Sequence, residues 1–127
     1  MRENKLTIKI NRPLQEVWEF TLDAKNTPKW MEDCLKEEAS PWPAAPGTVY
    51  THTNKDGAIF KFTMTGISPM DHFDMLGEDN NYHCRYTYKD LGDGTTELEY
   101  YEWMEKGELD GPVPQEVLQK LKSVMEA

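Results

Sequence analysis

Cysteine and histidine are scarce in this chain of 127 residues, with only two cysteines, Cys34 and Cys84, and three histidines. Their spacing fits no metal-site pattern, so neither a metal nor any other cofactor is expected. In a reducing compartment both thiols should stay free. Basic residues are also outnumbered: 14 lysines and arginines stand against 23 aspartates and glutamates, a formal charge of −9. Such a surface repels phosphate backbones and anionic lipid, which argues against nucleic-acid and membrane partners and favours a neutral or cationic small molecule. No apolar run is long enough to span a bilayer, and MRENKLTIKI lacks the apolar stretch of a signal peptide. The expected location is therefore cytoplasmic. Low-complexity segments, internal repeats and linkers are missing too, so residues 1–127 read as one domain.

What is present is a pattern. In LTIKI, Leu6, Ile8 and Ile10 alternate with polar residues, the period of a half-buried strand. The run is then cut by Asn11-Arg12-Pro13. Asn11 offers a side-chain cap, and Pro13 suits a first helical turn, where its missing N–H would be unpaired anyway. Leu14, Val17, Trp18 and Leu22 form one helical stripe. NTPKWM (26–31) reads as a second short helix anchored by Trp30, and SPWPAAPG (40–47) as an ordered loop.

Beyond that loop, strands alternate with turn signals, the signature of an antiparallel meander. Hairpin pairing requires cross-strand partners to share a face. A turn over Glu78–Asn81 sets Phe73 against Tyr86 and Met75 against Cys84, with Asp74 against Arg85 on the other side. A three-residue loop, Gly92-Asp93-Gly94, sets Tyr88 against Leu98, Tyr86 against Tyr100 and Cys84 against Glu102. A loop at Ser68–Asp71 puts Met64 across from Met75. A two-residue turn at Lys55-Asp56 puts Phe62 across from Val49. One face then collects Val49, Thr51, Thr53, Phe60, Phe62 and Met64, continued by Phe73, Met75, Tyr82, Tyr86, Tyr88, Tyr100, Glu102 and Met104. His52, His72 and His83 fall on the opposite, wet face, too dispersed for a metal site or a Cys/His pair. The C-terminal PVPQEVLQKLKSVMEA opens at Pro112 or Pro114 and reads as an amphipathic helix, with Val117, Leu118, Leu121, Val124 and Met125 facing the sheet.

The fold class is thus α+β. Strand, two short helices, long meander and last helix, in that order, resemble the helix-grip fold of the START-related (SRPBCC, birch-pollen-allergen-like) superfamily. INRPLQEVWEF, DAKNTPKWM and PGTVY (46–50) are most similar to its polyketide cyclase/dehydrase-like branch. The resemblance implies a curved sheet of about six or seven strands around the last helix, with a cavity between them for a small hydrophobic or amphipathic molecule. A fatty-acid-binding-protein-like barrel is the alternative architecture, but it ends in a strand. Fold alone leaves a binder, a cyclase/dehydratase-type enzyme and a protein-interaction module open.

The candidate ligand-binding residues are Trp30 of the second short helix and Phe60, Phe62, Met64, Phe73, Met75, Tyr86, Tyr88, Tyr100, Glu102 and Met104 of the sheet. Leu118, Leu121 and Met125 come from the last helix. Glu102, the one carboxylate on an apolar face, is the candidate acid or base. Its plainer reading is a hydrogen-bonded group at the rim. Cys84 beside it reads as a small buried hydrophobe. Tyr101 and Trp103 point outward and could form a homodimer contact. Trp42 could cap the cavity mouth or pin its own loop.

Overall fold

The computed structural model describes residues 1–127. Strand β1 (Glu3–Ile10) leads into helix α1 (Leu14–Leu22). A turn of tighter helix (Ala24–Asn26) and the short α2 (Thr27–Trp30) follow. Six strands come next: β2 (Cys34–Ser40), β3 (Val49–Asn54), β4 (Ile59–Ser68), β5 (His72–Gly77), β6 (Tyr82–Asp90) and β7 (Thr96–Met104). Helix α3 (Gln115–Glu126) ends the chain. All seven strands form one antiparallel sheet in the order β1-β7-β6-β5-β4-β3-β2. This is the expected α+β helix-grip arrangement.

The expected pairings of β5, β6 and β7 are present: Phe73 faces Tyr86, Met75 faces Cys84, Asp74 faces Arg85, Tyr86 faces Tyr100 and Cys84 faces Glu102. Met64 also lies opposite Met75, but the route differs. The loop after β4 has three residues, and a bulge between Met64 and Gly66 restores the register.

The β3–β4 hairpin departs from expectation. Its loop is Lys55-Asp56-Gly57, one residue longer than a Lys55-Asp56 turn, with Gly57 in the left-handed region at φ +85°. The Asn54 side chain holds it by accepting from the Asp56 and Ala58 amides. Tyr50 therefore pairs with Phe62 and His52 with Phe60. A one-residue slip inverts a strand. Tyr50 and His52 face inward, and Val49, Thr51 and Thr53 lie on the other side.

Two end details also differ. Pro13 caps α1 with no side-chain bond. Instead of capping the helix, Asn11 gives its backbone N–H to the Glu126 carboxylate (2.7 Å), tying the first turn to the last helix. Of the two proposed openings for α3, Pro114 is the cap.

The core is densest where α1 and α3 meet the sheet. Ile10, Val17, Met64, Leu98, Leu118 and Leu121 are fully buried. Trp18 meets Phe73 and Tyr88 edge-on, with ring centroids 5.9 and 5.0 Å apart. Helix α3 packs against β1 and α2, towards one end of the sheet's concave face. The face of β3 to β7 farther from it is left for something else to cover.

Both thiols are interior and unpaired. Burial, helped by Glu37 and Asp33, pushes Cys34 up to about 12, and burial pushes Cys84 higher still, with Glu102 adding to it. Thiolate is the reactive form. Near neutral pH the native protein should therefore resist alkylation by iodoacetamide, and both sites should react once it is unfolded; mass spectrometry of the two samples checks this.

Candidate functional site

The uncovered part of the concave face is a cavity of about 540 Å³, open to solvent on one side. Its floor is Phe62, Phe73, Met75, Cys84, Tyr86 and Tyr100 from β4 to β7, with Met104 at the far end. Thr21, Thr27 and Met31 of the helical segment form one wall, and Leu109 to Gly111 with Val113, the segment entering α3, form another. Phe60, 46% exposed, lies at the lip.

Of the residues singled out in the sequence, Phe60, Phe62, Phe73, Met75, Tyr86, Tyr100, Glu102 and Met104 share this wall. Trp30, Met64, Tyr88, Leu118, Leu121 and Met125 do not. The first five of these are buried in the core, and Met125 is half-buried and packs against it. The cavity is thus not between the sheet and α3. That helix is short and fills its end of the sheet solidly, and the loop before it walls the space. Tyr88 is likewise structural: its hydroxyl lies 2.5 Å from Thr21 Oγ1. Trp30 carries the one buried side-chain polar atom without a partner, Nε1. Trp42 is half exposed and lies off the wall.

Glu102 is 3% exposed and fully engaged. Its Oε1 accepts from the Tyr82 hydroxyl (2.8 Å) and the Tyr100 hydroxyl (3.3 Å). Its Oε2 accepts from Asn4 Nδ2 (2.9 Å) and the Val113 N–H (2.7 Å). Asn4 Nδ2 also donates to the Val113 carbonyl at 2.8 Å. A carboxylate offers about four lone-pair directions, and here four donors take them. The group clamps β1, β7 and the segment before α3 together, leaving no open direction for a substrate proton.

Tyr86 is different. It stacks on Phe73 at 4.5 Å and meets Tyr100 edge-on at 5.2 Å, yet its hydroxyl has no protein partner. Burial pushes it far above the usual phenol range, with Tyr100 contributing, so it stays a neutral O–H donor.

The inverted β3 adds a second polar cluster around His52, the residue expected on the outer face. A bulge between Cys34 and Lys36 turns Glu37 inward and leaves Leu35 59% exposed. Glu37 Oε1 accepts from Thr27 Oγ1 at 2.7 Å, and Oε2 lies 3.2 Å from His52 Nδ1. All three line the cavity. At the mouth stand Glu78, Asp79 and Asp110, with Lys61 the sole lysine or arginine. No three His, Cys, Asp or Glu side chains come together as a metal site.

Tyr101 and Trp103 face outward, as expected. They stack at 4.6 Å, and Trp103 stacks on His83 at 5.0 Å. Lys5 Nζ lies over the Tyr101 ring, whose hydroxyl donates to Glu3. Nothing of the cavity reaches this face.

The model of the family described as "Polyketide cyclase / dehydrase and lipid transport" matches residues 1–127. The chain belongs to this family. Among solved structures, a START superfamily protein from Mycobacterium smegmatis is similar to it at TM-score 0.72 and 13% identity, covering 99% of this chain and 95% of that one. A protein of Nitrosospira multiformis reaches TM-score 0.76 at 13% identity, covering 95% and 94%. MLL2253 from Mesorhizobium loti reaches 0.73 at 13%, covering 98% and 97%. These likenesses show the fold alone, across nearly the whole chain. No curated protein matches the sequence. No helix is long and apolar enough to cross a membrane.

Proposed function

We propose that this chain binds a small, neutral or cationic amphipathic molecule in the cavity between β3–β7, the α1–α2 segment and the loop entering α3. The observation that carries the reading is a largely apolar cavity of about 540 Å³ containing an unpartnered phenol, that of Tyr86. Ligand sites run from roughly 300 to 1,000 Å³ and combine apolar walls with a few placed polar groups. Phe60, Phe62, Phe73, Met75 and Met104 supply the apolar contact, and the methionines let it adapt. Tyr86 donates to a ligand acceptor. Three carboxylates against one lysine at the mouth, on a chain of charge −9, disfavour an anionic headgroup. The family description, which spans cyclisation, dehydration and lipid transport, supports a cavity function without choosing a chemistry. Glu102 serves as the scaffold of the site in this account.

Native mass spectrometry of freshly purified protein, with solvent extraction of any adduct, tests the reading. A co-purifying small molecule is expected from the parent and should be lost from Phe62→Trp, which adds bulk to the cavity floor. An adduct retained by a folded Phe62→Trp protein would place binding elsewhere.

A further inference from the structure

The cavity holds one polar group whose reactive nitrogen is free and whose orientation is fixed from behind. His52 and Glu37 side chains are 12% and 11% exposed. A carboxylate can only accept, so its contact with Nδ1 at 3.2 Å places the imidazole proton on that nitrogen. The Thr27 hydroxyl holds the other carboxylate oxygen at 2.7 Å, keeping Glu37 from swinging away. In the neutral imidazole Nε2 is then the acceptor, and it has no protein partner, in a cavity wall beside Phe60, Phe62 and Tyr50. Phe60, whose ring centroid is 6.4 Å from that of the imidazole, carries the wall on to the lip.

We infer that the Glu37–His52 pair is a hydroxyl-recognition site: Nε2 accepts a hydrogen bond from an alcohol or phenol hydroxyl on a ring-bearing ligand. Glu37 is the positioning residue. The inference rests on the proposed binding role of the cavity and adds the ligand's chemical class. Such a ligand spans the cavity, with its apolar ring system on the Phe62 and Phe73 floor and its hydroxyl at β3. Tyr86, three strands away on β6, donates to an acceptor at the other end. The two poles ask for opposite partners, a donor at His52 and an acceptor at Tyr86, which gives the ligand a direction.

The probes are β-naphthol and its methyl ether, which share a ring system and differ in the hydroxyl proton. Fluorescence titration of the full chain should show the naphthol bound about fivefold more tightly, the net worth of one hydrogen bond. His52→Phe keeps an aromatic ring and should abolish that preference while leaving the ether's affinity within about twofold. Nitrogen NMR should show the His52 Nε2 resonance moved by the naphthol and scarcely by the ether. Glu37→Leu removes the acceptor that holds the proton on Nδ1, so the preference for the naphthol should weaken. If both probes bind equally and His52→Phe alters neither, this site is wrong and the cavity reading stands. Failure of both probes to perturb any wall resonance overturns both. An unchanged preference in Glu37→Leu would show that Glu37 does not position His52.

Discussion

Replacing Glu102 with leucine is expected to destabilise the protein by about 2–6 kcal/mol, since each of two buried donors left without an acceptor costs about 1–3 kcal/mol. Leucine leaves the Val113 N–H and Asn4 Nδ2 without the acceptor they share. The Tyr82 and Tyr100 hydroxyls also lose Oε1, although they border the cavity and can turn to water. Glu102→Gln should cost less, about 1–2 kcal/mol, the value of a hydrogen bond or two with the charge assistance lost. Its carbonyl can keep serving Val113 and Asn4, while its amide donates to the tyrosine hydroxyls, which rotate to accept. Urea unfolding of the three proteins measures this order, and hydrogen exchange should show the Val113 amide unprotected in the leucine variant. A proton-transfer role predicts something else: glutamine as damaging to function as leucine, with stability little changed in either.

Leu121→Ala should cost about 3 kcal/mol, within the range for fully buried leucines, without weakening ligand binding. Leu121 has no exposed surface and packs in the cluster joining α3 to the sheet. It is absent from the cavity wall. Thermal unfolding should therefore register the change strongly, whereas a probe titration below the transition should not. A helix-lined cavity would instead couple the two, losing affinity along with stability.

Most of the fold was legible because hairpin parity is a strong constraint. At β5 to β7 the turn signals fix the register, and every inward residue from Phe73 to Met104 follows from it. The failure at β3 has a specific origin. Lys55-Asp56-Gly57 and Gly92-Asp93-Gly94 are the same kind of loop, three residues ending on a left-handed glycine. Reading Asp56-Gly57 as Asp93-Gly94 was read would have turned Tyr50 and His52 inward. Without that, the second polar cluster could not be seen. Glu37 was harder still, because its inward orientation depends on a bulge in an edge strand whose sequence, CLKEEAS, has no clean alternation.

The cavity's position was not legible for a different reason. An amphipathic stripe shows that a helix packs but not where along a curved sheet it comes to rest. The stripe of Leu118 and Leu121 is core, as its period implies. What places α3 at one end is a set of long-range bonds: Asn4 and Glu102 to Val113, the Leu109 N–H to the Met1 carbonyl, and Asn11 to Glu126. Three of these four join residues 108 to 115 positions apart in sequence, and none leaves a local pattern.

Methyl NMR of the methionines tests the central claim most directly, because their positions divide the molecule. Met31, Met75 and Met104 are on the cavity wall, whereas Met64 is in the core and Met125 is on α3. On titration with a neutral hydrophobic probe such as the methyl ether of β-naphthol, the resonances of Met31, Met75 and Met104 should move together and saturate at one concentration. Those of Met64 and Met125 should move little. Shifts confined to Met64 and Met125, with the other three unmoved, would put the ligand between sheet and helix and contradict the account.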